Sequence, residues 1–189
     1  PAGSPPGGED TVYLSAVDRA GNAVALIQSI YQSFGSVTLV PGTGIMLHNR
    51  ARGFSLDPGH PGCLAPGKRP YHTLHCALGL GPEGLRLCLG SPGADGQPQT
   101  LMQLLVHHLV LGADPQQAVE APRFRSDPDG QLNLEDRFGP RVLAGLAGRG
   151  HRLAPAGAWA GLMGSAQMVV RDPVGGVLLA GADPRRQAY

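Results

Sequence analysis

The sequence predicts an α+β domain, and three observations carry that reading. Strand-like runs open the chain, helical runs occupy its middle and strand-like runs return at its end. That order favours segregated layers over a repeating strand–helix–strand alternation. The 29 glycines and 18 prolines among 189 residues call for many turns and short elements, with few long helices. A hydrophobic fraction of 42% against 15% charged residues belongs to a globular chain able to bury a core.

Taken in order, residues 1–10, "PAGSPPGGED", read as a flexible leader or linker, and the domain proper runs from 11 to 189. "TVYLSAV" alternates apolar and polar positions, "DRAGN" is a turn and "AVALIQSIY" is a second strand-like run, so the three form a hairpin. Residues 34–70 are dense in Gly and Pro around one short apolar run, "GIMLH", and read as loops laid over a surface. "TLHCALGLGPEGLRLCLGSPG" is a second hairpin, folded about "GPEG". It contains a formal GxGxxG match from Gly79 to Gly84. A proline inside the match and a strand after it make this a turn and not a dinucleotide site.

"TLMQLLVHHLVLGADP" is the strongest helix, with Leu101, Leu104, Leu105, His108 and Leu109 on one face. Gly112 and Pro115 end it. "DPQQAVEAP" is a short second helix capped by Asp114, with Pro115 in its first turn, and "GPRVLAGLAGRG" is a third. "AQMVVRDPVGGVLLAGAD" closes the domain as a hairpin turning at 172–176.

A net charge of +1 with no Lys/Arg run supplies no field for nucleic acid. No window approaches the roughly 18 apolar residues of a membrane span. The opening residues have neither the basic nor the apolar region of a signal peptide. Three unevenly spaced cysteines, Cys63, Cys76 and Cys88, favour a reducing, cytoplasmic setting over a disulfide framework. A periplasmic or secreted setting would require an upstream signal. Cys76 and Cys88 lie in apolar runs and are expected to be buried, inert thiols.

Three places offer chemistry. Thr11 stands where the leader gives way to the first strand. It is either an ordinary strand opener or an N-terminal nucleophile. A threonine hydroxyl needs a base beside it, and cutting the bond before Thr11 makes its own α-amine that base. The loop "GSPGADGQPQT" precedes the long helix, and its backbone N–H groups suit an anion or a developing oxyanion; the alternative is a plain connection. His72 and His75, and the pair His107 and His108, lack partners at metal-ligand spacing. No metal is called for.

Together, "DTVYLSAVDRAGNAVALIQSIYQSFGS", "GTGIMLHNR", "LAPGKRPYHTL", "GSPGADGQPQT", "EAPRF" and "GADPRR", in that order, resemble the small subunit of the γ-glutamyltransferase (glutathione hydrolase) family of N-terminal-nucleophile hydrolases. The resemblance covers nearly the whole chain from Thr11 onward. It implies a four-layer αββα sandwich, of which this chain supplies about half, and a large N-terminal subunit from the same precursor as partner. It also implies self-cleavage between Asp10 and Thr11, an acyl-enzyme on Thr11, and no metal or organic cofactor. Ser29 falls where the family keeps a hydroxyl beside the nucleophile. Gly93 and Ala94 match the paired residues whose N–H groups form the oxyanion hole.

The glutamyl pocket departs from the family pattern. Its positions match Tyr31, Arg50, Gly53, His72 and Thr73, so the carboxylate that would hold an ammonium is gone and an arginine has arrived. A substrate ammonium beside Arg50 is electrostatically wrong, whereas a carboxylate is welcome. The chain is thus closest to the divergent branch that includes oxamate amidohydrolase, and a small acidic amide is the expected substrate. The alternatives are a glutathione hydrolase acting on γ-glutamyl amides and a non-catalytic light-chain-like homologue.

Overall fold

A computed structural model describes residues 9–186 of the chain. Residues 1–8 of the expected leader lie outside the described residues, and Glu9 and Asp10 already belong to the first strand. That strand, β1 (Glu9–Val17), pairs antiparallel with β2 (Ala23–Gln32), as the alternation in the sequence anticipated. The Asp18 carboxylate closes the turn by accepting from the backbone and side-chain amides of Asn22, at 2.9 and 2.8 Å. Near the other end the register slips. Glu9 pairs with Gln32 and Thr11 with Ser29, so β2 carries one residue more than β1 across this step. Tyr31 lies in that slip with a φ of +80°, a region ordinary side chains avoid.

The Gly/Pro-rich stretch that follows is mostly loop, with two-residue strands β3 (Leu39–Val40) and β4 (Ile45–Met46) and a single 3-10 turn over Arg50–Gly53. Strands β5 (Cys76–Gly81) and β6 (Gly84–Gly90) form the second hairpin, so the GxGxxG match is a turn. One face of β6 presents Leu87 and Leu89 to the helical layer. There Leu101 and Leu104 of α1 (Gln97–Leu105) and Ala118 and Val119 of α2 (Pro115–Glu120) complete a core. Helix α2 begins with a full capping box: Asp114 accepts from the Gln117 N–H at 2.8 Å while Gln117 accepts from the Asp114 N–H.

The expected long helix starts earlier than its apolar stripe, at Gln97, and widens over 106–110 into a π turn in which Leu111 N donates to Val106 O. Leu101 and Leu104 are buried, but Leu109 is 52% exposed, because the wide turn rotates the later residues off the core face.

Three short strands were not anticipated. Strands β7 (Phe124–Ser126) and β8 (Gln131–Leu134) pair antiparallel. Strand β9 (Arg152–Pro155) joins β8 in parallel after the helix α3 (Pro140–Ala147). The terminal hairpin of β10 (Gln167–Arg171) and β11 (Leu178–Ala182) adds to β6, giving a sheet ordered β11-β10-β6-β5. Met168 and Val170 of β10 join the helix-side core.

The opposite face of this sheet receives the β1–β2 hairpin. Gly90 has no side chain because the Tyr13 ring lies there; a Cβ on Gly90 would collide with it. Helices, sheet and hairpin thus stack as three layers. Beyond the hairpin, Val12, Leu14, Val24 and Leu26 lie on its outer face between 41 and 53% exposed. Cys88 is buried as expected, but Cys76 is exposed; it lies on the edge strand β5, where its thiol donates to the Ala25 carbonyl of β2 at 3.5 Å.

Candidate active site

Thr11 and Tyr13 share the inner face of β1, so the ring packed on Gly90 sets where the threonine stands. Both side chains are buried, and burial pushes the pKa of the Tyr13 hydroxyl up. Directly opposite Thr11 in the ladder is Ser29. The Ser29 hydroxyl oxygen accepts from the Tyr31 N–H at 2.9 Å, which leaves its own proton to be donated elsewhere.

Just past Gly90 the chain runs through Ser91 and Pro92 to Gly93 and Ala94. Gly93 has a φ of +143° and Ala94 a φ of +46°. The glycine meets no penalty there, whereas Ala94 holds the left-handed conformation with a Cβ in place. A 3-10 turn over Ala94–Gly96 leads into α1 without a side-chain cap. The Gly96 and Gln97 N–H groups are taken up by the Gly93 and Ala94 carbonyls, and no side-chain oxygen caps this entry.

The third group is the Arg50 cluster. Arg50 is only 8% exposed, which is unusual for an arginine without a carboxylate partner. Its guanidinium carbon lies 4.3 Å from the centre of the Tyr31 ring, and Nη1 donates to Thr73 Oγ1 at 3.2 Å. Nη2 is buried with no partner, and among the described residues no carboxylate pairs with Arg50. Tyr31, Arg50 and Thr73 are therefore brought together. His72 is not in this contact. It is exposed, with its ring 6.1 Å from that of His75. Gly53 lies against the Tyr71 carbonyl, which a Cβ there would crowd at 3.0 Å.

Two hydrogen bonds tie residues flanking Thr73 to the turn before α1 and to the first residue of that helix. Tyr71 donates from its hydroxyl to Asp95 Oδ1 at 3.1 Å, and His75 donates from its backbone to Gln97 Oε1 at 2.8 Å. Gln97 was missed by sequence reasoning. It is fully buried, and its Nε2 also lacks a partner. The signal was a glutamine at the first position of the helix, on the face that carries Leu101 and Leu104. His108 is a satisfied residue of the helix end, its Nδ1 2.8 Å from the Ala113 carbonyl. His107 has its pKa lowered by burial and by the nearby Arg123.

A second set that sequence reasoning did not find lies behind the turn. Gly164 packs so closely on Ser91 and Pro92 that a Cβ there would strike Ser91 Oγ and the Pro92 carbonyl. Ser165 donates its N–H to Ser91 Oγ at 3.1 Å. The Met163 carbonyl accepts from Thr100 Oγ1 and from Arg123 Nη1, and the Ala166 N–H donates to Asp183 Oδ2 at 2.8 Å. Arg123 and Asp183 are themselves an ion pair, 2.7 Å apart and wholly buried. Asp183 Oδ1 also meets Arg185, which reaches Glu135 at 2.6 Å. Glu135 in turn holds Arg137, whose guanidinium stacks 3.5 Å above the Trp159 ring.

With this geometry in place, the likeness to known proteins is specific. The gamma-glutamyltranspeptidase family model matches residues 2–189. The chain is 42% identical to the oxamate amidohydrolase proenzyme of Klebsiella pneumoniae and 39% identical to a glutathione hydrolase-like proenzyme of Bacillus subtilis. Each alignment takes in 98% of this chain but 36% of the relative, so the chain spans about a third of the length of these curated relatives. Among solved structures, cephalosporin acylase from Bacillus halodurans superposes with a TM-score of 0.87 at 38% identity, covering 94% of this chain and 33% of that one. An acivicin-inhibited gamma-glutamyltranspeptidase superposes with a TM-score of 0.81 at 26% identity, covering 93% and 98%. The α+β architecture is that of the N-terminal-nucleophile hydrolases.

Proposed function

This chain belongs to the gamma-glutamyltranspeptidase family, and we propose that it is the catalytic portion of an amidohydrolase that works through Thr11 on a small acidic amide. Cleavage between Asp10 and Thr11 removes the leader, residues 1–10, and frees the Thr11 α-amine. That amine takes the Oγ1 proton as Oγ1 attacks the substrate carbonyl, and the oxyanion forms against the N–H groups of Gly93 and Ala94. The protonated amine returns the proton to the leaving nitrogen, which departs and leaves an ester on Thr11. Water, deprotonated by the same amine, cleaves the ester and releases the acid. Ser29, anchored by the Tyr31 N–H, has its hydroxyl proton available to orient the nucleophile. No metal or organic cofactor takes part in these steps.

The observation that carries the substrate class is the buried Nη2 of Arg50, which among the described residues has no partner and no carboxylate beside it. A buried cation left in that state is costly, and a bound carboxylate removes the cost. The stack on Tyr31 and the bond to Thr73 hold the guanidinium, leaving one edge for the substrate. Oxamate has its carboxylate directly beside the amide carbonyl, which fits an anion site close to the oxyanion turn. A γ-glutamyl substrate would bring its ammonium toward Arg50, where no carboxylate is present to receive it.

The partner is the larger N-terminal portion of the same precursor. The exposed apolar face of β1–β2 supports this, as does the share of the relatives' length that this chain leaves unmatched. Comparing kcat/KM for oxamate and for a γ-glutamyl anilide, with the full-length processed protein, tests the substrate. A clear preference for the anilide sinks it. The Thr11→Ala variant should remain one uncut polypeptide and be inactive; a cut, active variant would remove Thr11 from the mechanism.

A further inference from the structure

The buried ion pair of Arg123 and Asp183 brackets a short segment, residues 163–166. Arg123 Nη1 holds the carbonyl of its first residue, Met163, at 3.2 Å, and Asp183 Oδ2 holds the N–H of its last, Ala166, at 2.8 Å. Between these anchors Gly164 presses on Ser91 and Pro92, and Ser165 donates to Ser91 Oγ. Met163 is also tied to α1 through Thr100 at 3.1 Å. The segment passes close to Gly93, where a Cβ would lie 3.4 Å from Gly164 Cα.

We infer that Arg123 and Asp183 are positioning residues for the reaction: as a pair they hold the 163–166 strap, and the strap fixes the direction of the Gly93 and Ala94 N–H groups. The inference rests on the oxyanion role proposed for those two residues. Four features single this out from ordinary core packing. The pair is wholly buried, so its charges serve no surface purpose. Its two members grip opposite ends of one strap. The strap bonds to Ser91, two residues before the turn it backs. That turn has no side-chain cap of its own, so its backbone direction must come from outside. An oxyanion site works only while its donors are held in place before charge develops, and a small displacement set up far from the reacting atoms is enough to slow the chemistry.

Two variants separate the parts of this mechanism. Asp183→Asn keeps an oxygen for the Ala166 N–H but removes the charge paired with Arg123. Ser91→Ala leaves the ion pair intact and removes the hydroxyl through which the strap reaches the turn. Both are made in the full-length protein, with hydrogen exchange and steady-state hydrolysis of oxamate and of a γ-glutamyl anilide as readouts. Amides 93–96 should exchange faster in both variants while those of β5 and β6 stay as in the wild type. The kcat should fall about 10- to 100-fold with KM within about threefold. The double variant should be little slower than the worse single one, because both changes break one linkage.

Unchanged exchange at 93–96 in either variant overturns the inference, whatever the rates. Faster exchange with kcat unchanged, or with KM alone altered, shows that the strap holds the turn but that the turn does not serve the reaction, and overturns the positioning role. A general loss of protection across β5 and β6 in both variants means the pair supports the whole domain and also overturns it. A wild type that turns over neither amide defeats the proposed function instead; the exchange rates alone then decide whether the strap holds the turn.

Discussion

The Arg50 guanidinium lies over the Tyr31 ring, 4.3 Å from carbon to ring centre, and Tyr31 keeps a φ of +80° in the register slip of the first hairpin. The stack joins a strained residue two positions from the ladder partner of Thr11 to a buried cation that has no counterion among the described residues. Replacing Arg50 by Lys keeps the charge but loses the planar fork and the stack. The KM for oxamate should rise about 10- to 100-fold, as expected for losing a hydrogen bond to a charged group, with a smaller change in kcat. Steady-state kinetics decide this, and an unaltered KM would detach Arg50 from the substrate.

Ala94 keeps a φ of +46° with a Cβ in place. Ala94→Gly relieves a left-handed strain of about 1–2 kcal/mol, part of which returns as extra freedom in the unfolded chain. The variant should be more stable by about 0.5–1 kcal/mol in urea unfolding. It retains the N–H, so kcat should stay within about threefold of the wild type.

Gly90 is the floor on which the Tyr13 ring rests. Gly90→Ala forces the hairpin away from the sheet and should cost about 1–3 kcal/mol, read as a lower urea midpoint. Activity should fall as well, because Thr11 is carried on the displaced strand. Gly84→Ala offers a contrast, since its φ of +94° is strained for alanine but no described atom lies within 4 Å of its Cβ position; stability should drop without displacing β1.

Burial acts to raise the pKa of Glu135, but hydrogen bonds from Arg185, the Arg123 N–H and Arg137 outweigh it, so the net shift is downward from 4.5. A carboxylate depressed on folding stabilises fully above its unfolded pKa and loses that contribution as pH falls through the folded value. Stability should therefore hold from neutral pH to about 4.5 and decline below it. Glu135→Gln should cost about 3 kcal/mol at neutral pH, as when one partner of a buried pair is removed. The difference from the wild type should shrink as pH falls. Urea unfolding midpoints from about pH 6 to pH 3 measure both.

Much of this organisation was legible in the residues. Alternation with glycine punctuation marked the three hairpins, and Asp114 with Pro115 marked the start of α2. Three things escaped. The β7–β8–β9 sheet is made of three- and four-residue strands, too short for periodicity to register, and its parallel pair forms only through a crossover. The exposure of Leu109 depends on a π turn that no local pattern announces. The ion network joins Arg123, Glu135 and Asp183 across long stretches of chain, and single side chains far apart in sequence carry no spacing signal. The site residues were picked out by family likeness, but their environment was not. The burial of Arg50, the left-handed Ala94 and the orphan amide of Gln97 arise from loops whose course only the folded chain sets.

The register slip between Glu9 and Thr11 bears on what happens when a leader leaves. Upstream of Thr11, the described ladder contains the single rung of Glu9 with Gln32; downstream, the pairs from Thr11 to Val17 form an uninterrupted run. A cut at residue 10 thus falls where the sheet is already out of step, and it spares every rung that carries the nucleophile. Within the described ladder a cut there gives up one rung, whose backbone hydrogen bonds are worth about 1 kcal/mol net each. If the proposed cut is made, the run that carries Thr11 stays paired while the described part of the ladder loses only the Glu9 rung.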